Sequence, residues 1–153
     1  MHESIAILEY LAEIALELWP QDKEARAHAR SIGAEMHAGF MPLRKNCPMN
    51  IKRQPRAIAL DTETLASVER VVDLFVDCRA RFGAGGDFLF GARFNNADAM
   101  FAPAVNRLHA YDIKVPASVR AYMDAVMATP MWREWEAAAL DEAEMIADID
   151  DVR

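Results

Sequence analysis

The sequence predicts an all-α fold. Three observations carry that prediction. Apolar residues recur at spacings of three and four in several segments, which lines them up on one face of a helix. No stretch alternates apolar and polar residues as a half-buried strand would. Proline and glycine fall mainly between the periodic segments, where they punctuate rather than interrupt. The chain of 153 residues has the size of one domain built on one core. With 53% hydrophobic and 27% charged residues, it is too apolar for disorder and too interrupted by charge to span a membrane.

The elements follow in order. From Glu3 to Leu18 the residues Ile5, Leu8, Leu11, Ala12 and Ala15 mark a first helix, and Trp19-Pro20 breaks it because proline disfavours helical geometry in its predecessor. Asp22 is placed to cap a second, alanine-rich helix that runs to about Phe40, with Pro42 as its stop. Residues 43–60 carry Pro48 and Pro55 among polar and basic side chains and read as an irregular connection, the most mobile part of the chain. A third helix opens at Asp61 and presents Leu65, Val68, Val72 and Phe75 as its apolar stripe before Gly83, Gly85 and Gly86 end it. Further helices are expected near 95–110, 117–128 and 131–147, separated by Pro116 and Thr129-Pro130. Pro103 falls inside the first of these, beyond its first turn, and forfeits one backbone hydrogen bond.

Charge narrows the function classes. The formal net charge is −7, from 24 acidic and 17 basic side chains, which argues against nucleic acid as the main partner. The charge is uneven. Met36 to Leu60 holds no acid but five basic residues, Arg44, Lys45, Lys52, Arg53 and Arg56, whereas Asp141 to Asp151 holds six acids and no base. Each run reads first as solvated surface. Cys47 and Cys78 have no metal-ligand neighbour at useful spacing and read as free thiols. No secretory leader and no membrane span is visible, so a cytoplasmic address is expected.

The common catalytic signatures are missing: there is no Gly-rich phosphate loop, paired-histidine zinc motif, cysteine cluster or Gly-x-Ser-x-Gly elbow. Three local features remain. Glu3-Ser4 opens the first helix, where serine either caps the backbone or helps hold an anion such as a carboxylate, capping being the commoner use. Met36-His37 and Phe40 close the second helix; His37 and Phe40 are three apart and share a face, and a lone histidine there is more often structural than catalytic. Asn95-Asn96-Ala97-Asp98 fits a capping box, with Asn95 as the cap and Asp98 reaching back to it.

Taken together, these features resemble the glutathione transferases, and in particular bacterial members of the beta-like kind. Glu3-Ser4-Ile5-Ala6-Ile7-Leu8-Glu9-Tyr10-Leu11-Ala12-Glu13 resembles the family's Glu/Asp-Ser-x-Ala-Ile-x-x-Tyr-Leu segment, the last helix of its thioredoxin-like half. Leu18-Trp19-Pro20, Ala25-Arg26-Ala27 and Glu35-Met36-His37-Ala38-Gly39-Phe40-Met41-Pro42-Leu43 resemble the start of its helical half. Phe94-Asn95-Asn96-Ala97-Asp98-Ala99-Met100-Phe101 resembles the capping-box segment of its buried central helix. The resemblance implies residues 1–18 as the last helix of a thioredoxin-like glutathione-binding domain and 19–153 as a helical bundle of the transferase C-terminal type.

It also implies glutathione as co-substrate, no metal, Glu3, Ser4 and His37 as glutathione contacts, and Met36, His37 and Phe40 as the wall of a pocket for an apolar electrophile. A homodimer is the family's usual state. This sequence departs from the pattern in two places: Ala38 stands where beta-like members often have lysine, and Asn95 stands where serine or threonine is usual. No residue matches the serine, tyrosine or cysteine that activates the glutathione thiol in the family's thioredoxin-like half. The resemblance therefore implies a truncated transferase, inactive in conjugation by itself, with a non-catalytic interaction or dimerisation module as the alternative and a generic helix bundle as the plainest one. Without the sheet of a thioredoxin-like half, Ile5, Leu8 and Leu11 are expected to dock on the chain's own helices or to self-associate.

Overall fold

Why the chain folds into helices is legible at their ends. The computed structural model describes residues 2–146, and among these lie seven α-helices: α1 (Ser4–Ile14), α2 (Lys23–Ala38), α3 (Met41–Asn46), α4 (Thr62–Phe82), α5 (Asn96–Ala110), α6 (Ala117–Met127) and α7 (Pro130–Asp141), with a 3-10 turn at Leu16–Leu18. Asp22 accepts a hydrogen bond from the Ala25 N–H at 2.8 Å, and Thr129 Oγ1 accepts one from the Trp132 N–H at 3.2 Å while donating to the Val126 carbonyl. Both satisfy donors that a helix start leaves without an internal partner. No strand occurs among the described residues; Phe88 and Gly91 form an isolated bridge. The fold is all-α.

Two compact units divide the described residues: 2–39 with 73–102, and 40–72 with 103–146. The core of the first is built on Trp19, Ile32, Met36, Leu74, Phe75 and Phe101, all under 5% exposed, with Phe75 and Phe101 edge to face at 5.2 Å. Gly33 on α2 lets α1 approach: a Cβ there would already lie 3.7 Å from Ile5 Cδ1 and 3.8 Å from the Trp19 ring. Both are ordinary van der Waals contacts, so an alanine would fit there. On α1, Ala12 is buried and Ile5 and Leu8 are half-buried, whereas Ile7, Tyr10, Leu11 and Ile14 are exposed. Leu11, expected on the packed face, is exposed at its edge.

In the second unit the basic stretch proves to be anchored rather than loose. Arg107, nine-tenths buried, donates from Nε to the Cys47 carbonyl at 2.9 Å and from Nη1 to Pro103. Tyr111 donates to the Pro48 carbonyl, and the Arg53 guanidinium lies 4.5 Å over the Tyr111 ring. Lys52 Nζ donates to the carbonyls of Glu142 and Glu144. Lys52 and Arg53 thus serve backbone carbonyls beyond the end of α7 and at the end of α5. Burial pushes the Cys47 thiol up to about 11, so it stays protonated; Cys78 is buried too, and neither cysteine is in a disulfide.

Four expectations need correction. Residues 43–60 are not wholly irregular, because α3 occupies Met41–Asn46; Pro42 stands in its first turn, where a missing N–H is no loss, and starts a helix instead of stopping one. The second helix ends at Ala38, since Phe40 takes a left-handed backbone (φ 62°). The buried stripe of α4 runs through Thr64, Val68, Val71, Phe75 and Cys78, and Leu65 is 47% exposed. A polar residue owns the buried position because the Thr64 hydroxyl accepts from Asn46 Nδ2 at 2.8 Å. Finally, α7 ends at Asp141 rather than near 147: Asp141, Glu142 and Glu144 put like charge on the negative end of the helix dipole. Residue 147 itself lies outside the described residues.

Asp61 caps α4 through a 2.8 Å bond from the Thr64 N–H and receives Asn46 Nδ2 at 3.0 Å. The Thr64 hydroxyl and N–H, then Asn46 and Lys45, hold its carboxyl below the usual carboxylate range. A depressed folded value means that its stabilisation is fully present above the unfolded value of about 4 and is lost as pH falls through the folded value. Melting temperature followed from pH 5 down to pH 3 is therefore expected to fall less steeply in Asp61→Asn than in the parent chain. Identical slopes would show that the cap does not titrate with folding.

Candidate functional site

The site begins with the placement of α1 in the first unit. Asn96 Nδ2 donates to the Leu8 carbonyl at 3.2 Å, and Arg30 on α2 holds the Glu9 carboxylate with two bonds of 2.9 and 2.7 Å. Asn96 is itself fixed by the capping box that the sequence predicts. Asn95 Oδ1 accepts from the Ala97 N–H at 2.9 Å, and Asp98 Oδ2 accepts from the Asn95 N–H at 2.9 Å. The second Asp98 oxygen takes the Leu89 N–H at 3.1 Å. A fully buried carboxylate thus pins the start of α5 and the loop before it together.

With α1 held this way, Glu3 and Ser4 at its N-terminus meet His37 near the end of α2. Ser4 Oγ lies 3.4 Å from His37 Nδ1 and Glu3 Oε2 lies 3.1 Å from His37 Nε2. A carboxylate only accepts, so Nε2–H donates to Glu3, and in the neutral ring Nδ1 then accepts from the Ser4 hydroxyl. Glu3 and Ser4 are exposed and His37 is half-buried, so all three remain within reach of a solute. Ser4 does not cap α1, whose start has no side-chain cap at all. Its hydroxyl serves His37 instead, and the first backbone N–H groups of the helix keep their positive character.

Glu3 sits at φ 71°, ψ 113°, a region that a residue with a Cβ enters only under strain of about 1–3 kcal/mol. Such strain persists where the surroundings impose it, and it is concentrated at ligand-binding corners. The three residues expected to contact glutathione are therefore brought together, across 33 positions of sequence. The apolar-pocket residues are placed differently. Met36 is 3% exposed in the first unit's core, and Phe40 is half-buried at the start of α3 in the second unit, beyond the end of α2. No group of three or more His, Cys, Asp or Glu side chains suited to a metal ion occurs among the described residues. No described helix is long and apolar enough to cross a membrane.

An all-α chain whose fifth helix opens on a capping box, and whose first helix offers an acid and a serine to a histidine, invites comparison with glutathione-binding proteins. Residues 52–138, more than half of the chain, match the family described as glutathione S-transferase, C-terminal domain. The chain belongs to the glutathione S-transferase family through that domain. Among solved structures it is similar to a glutathione transferase homologue from Burkholderia GL BGR1, crystallised with bound glutathione. The two share 28% identity at a TM-score of 0.64, over 94% of this chain and 69% of that one. No curated protein matches.

Backbone strain at Glu3 separates two variants that lose the same carboxylate. Glu3→Gly removes the Cβ as well and is expected to exceed Glu3→Ala in stability by about 1 kcal/mol, the strain relieved less the added flexibility of glycine. Urea denaturation of the two measures it, and equal stabilities would mean that Glu3 is not strained.

Proposed function

We propose that the corner of Glu3, Ser4 and His37 binds the γ-glutamyl end of glutathione. The observation that supports this most is the convergence of an acid, a hydroxyl and an uncapped helix start on one side of the first unit. A γ-glutamyl group carries an ammonium and a carboxylate on the same carbon. The Glu3 carboxylate suits the ammonium, while the Ser4 hydroxyl and the backbone N–H groups opening α1 suit the carboxylate. Binding then exchanges His37 for ligand at both residues, and the imidazole is left beside the peptide. The similar structure from Burkholderia GL BGR1 holds glutathione, which is consistent with this use of the corner.

On this reading α1 is the last helix of a thioredoxin-like half, residues 19–153 are the helical half, and the reaction served is addition of the glutathione sulfur to an electrophilic small molecule. Glutathione is a co-substrate there. The sulfur must be deprotonated before its lone pair can form the new S–C bond, which needs a donor or positive charge against the thiolate. None of Glu3, Ser4 and His37 is such a donor in the family's pattern, so these residues bind and orient glutathione, and thiolate formation needs a group from the thioredoxin-like half. Alone, the chain is inactive in conjugation. For the apolar electrophile, the wall that the first unit offers is His37, half-buried and within reach of a solute, since Met36 lies in that unit's core.

A second reading, an interaction or homodimerisation module, is favoured by α1. Ile7, Tyr10, Leu11 and Ile14 are exposed at the i, i+3, i+4, i+7 spacing of a docking face, and Ile14 is 72% exposed. Calorimetric titration with reduced glutathione, run beside sedimentation, decides between them. The first reading expects binding that Ser4→Ala weakens by about tenfold to a hundredfold, the value of a hydrogen bond to a charged group. No heat of binding together with a dimer that Leu11→Glu dissociates would reject it and leave the second.

A further inference from the structure

The first unit also carries an open cavity of about 460 Å³ that includes none of Glu3, Ser4 or His37, a volume within the usual range for small-molecule sites. Its walls are aromatic. Trp19 and Pro20 line it between the 3-10 turn and α2, Phe82 lines it from the end of α4, and Phe90 lines it from the loop before α5. The Phe82 and Phe90 rings stack with centroids 5.4 Å apart and planes at 23°. The same cavity is bordered by Glu17 and Arg93.

Two charged groups beside this space have no partner within the fold. The Glu17 carboxylate and the Arg93 guanidinium are exposed, and neither side chain makes a hydrogen bond or ion pair among the described residues. Although opposite in sign and on the same cavity, they do not pair with each other. Asp22 and Asn95 also line it, but Asp22 accepts the Ala25 N–H and Asn95 the Ala97 N–H, so both are committed to capping helices.

We propose that this cavity binds a small zwitterion bearing an aromatic side chain, of the aromatic amino-acid type, with its ring among Trp19, Phe82 and Phe90, its ammonium at Glu17 and its carboxylate at Arg93. The occupant follows by elimination. A purely apolar molecule leaves the two charges unpaired. An aromatic anion meets the Glu17 carboxylate, and an aromatic cation meets the Arg93 guanidinium; a molecule carrying both charges satisfies both. Aromatic walls favour a planar ring through offset or edge-to-face contacts.

Calorimetry with L-phenylalanine, 3-phenylpropanoate and 2-phenylethylamine tests this directly. Phenylalanine is expected to bind, and each analogue, lacking one charge, about tenfold more weakly. Arg93→Gln should erase the preference over 2-phenylethylamine, and Glu17→Gln the preference over 3-phenylpropanoate. Both side chains are exposed and unpaired, so melting temperatures should be unchanged. Ala92→Trp, from an exposed position on the cavity, should block binding, and Ser4→Ala should leave it intact. Absence of phenylalanine binding up to about 10 mM, equal affinities for the three compounds, or affinities indifferent to Glu17→Gln and Arg93→Gln would each overturn the proposal.

Discussion

The Asp98 carboxylate is fully buried, and each of its oxygens holds a backbone N–H: Asn95 at the start of α5 and Leu89 in the loop before it. Burying a charge without such partners would cost several kcal/mol, so the two bonds are what make the position tolerable, and they fix the backbone around it in return. Asn95 then closes the first turn of α5 with its own side chain. Its neighbour Asn96 is left pointing at α1, where it donates to the Leu8 carbonyl. The placement of the first helix in its unit thus descends from one carboxylate nine residues after the loop amide it holds.

What that placement achieves is chemical rather than architectural. The face of α1 that packs is narrow, being Ala12 with Ile5 and Leu8 in support, and much of its apolar surface stays exposed. Hydrophobic burial alone would hold such a helix weakly. The Asn96 bond and the Glu9–Arg30 pair add direction, and the exposed pair contributes at most about 1 kcal/mol. Direction is what the Glu3, Ser4 and His37 corner needs, since a shift of about 1 Å would separate a hydroxyl from a ring nitrogen already 3.4 Å away. Strain at Glu3 fits the same picture, with the stability of the capping box offsetting a backbone angle that local preference rejects.

Helix ends were legible in the sequence where a side chain acts within three residues of its own position. Asp22 and the Asn95–Asp98 pair cap as their spacing requires, and Thr129, expected only to separate two helices, caps α7. Signals failed where two physical readings share one residue. Pro42 can stop a helix or start one, and it starts α3. Apolar period gives the repeat of α4 but not its phase, because Thr64 is buried and satisfied by Asn46 while Leu65 is exposed. The candidate site was legible only as separate pieces: that Ser4 and His37 meet depends on tertiary contacts no spacing records. Nothing in the sequence marks Glu3 as strained, or Glu17 and Arg93 as unpaired neighbours of one cavity, since these are properties of surroundings rather than of residues.

The dependence of α1 on the capping box is the claim everything else rests on, and hydrogen exchange of Asn96→Ala against the parent chain tests it most directly. Asn96 contacts α1 through one bond to a carbonyl, so its removal should leave global unfolding cooperative and lower stability by about 1 kcal/mol. Amides of Ser4–Ile14 are expected to exchange faster in the variant while those of Lys23–Ala38 keep their protection. Unchanged protection in α1, or equal loss across both helices, would contradict the account.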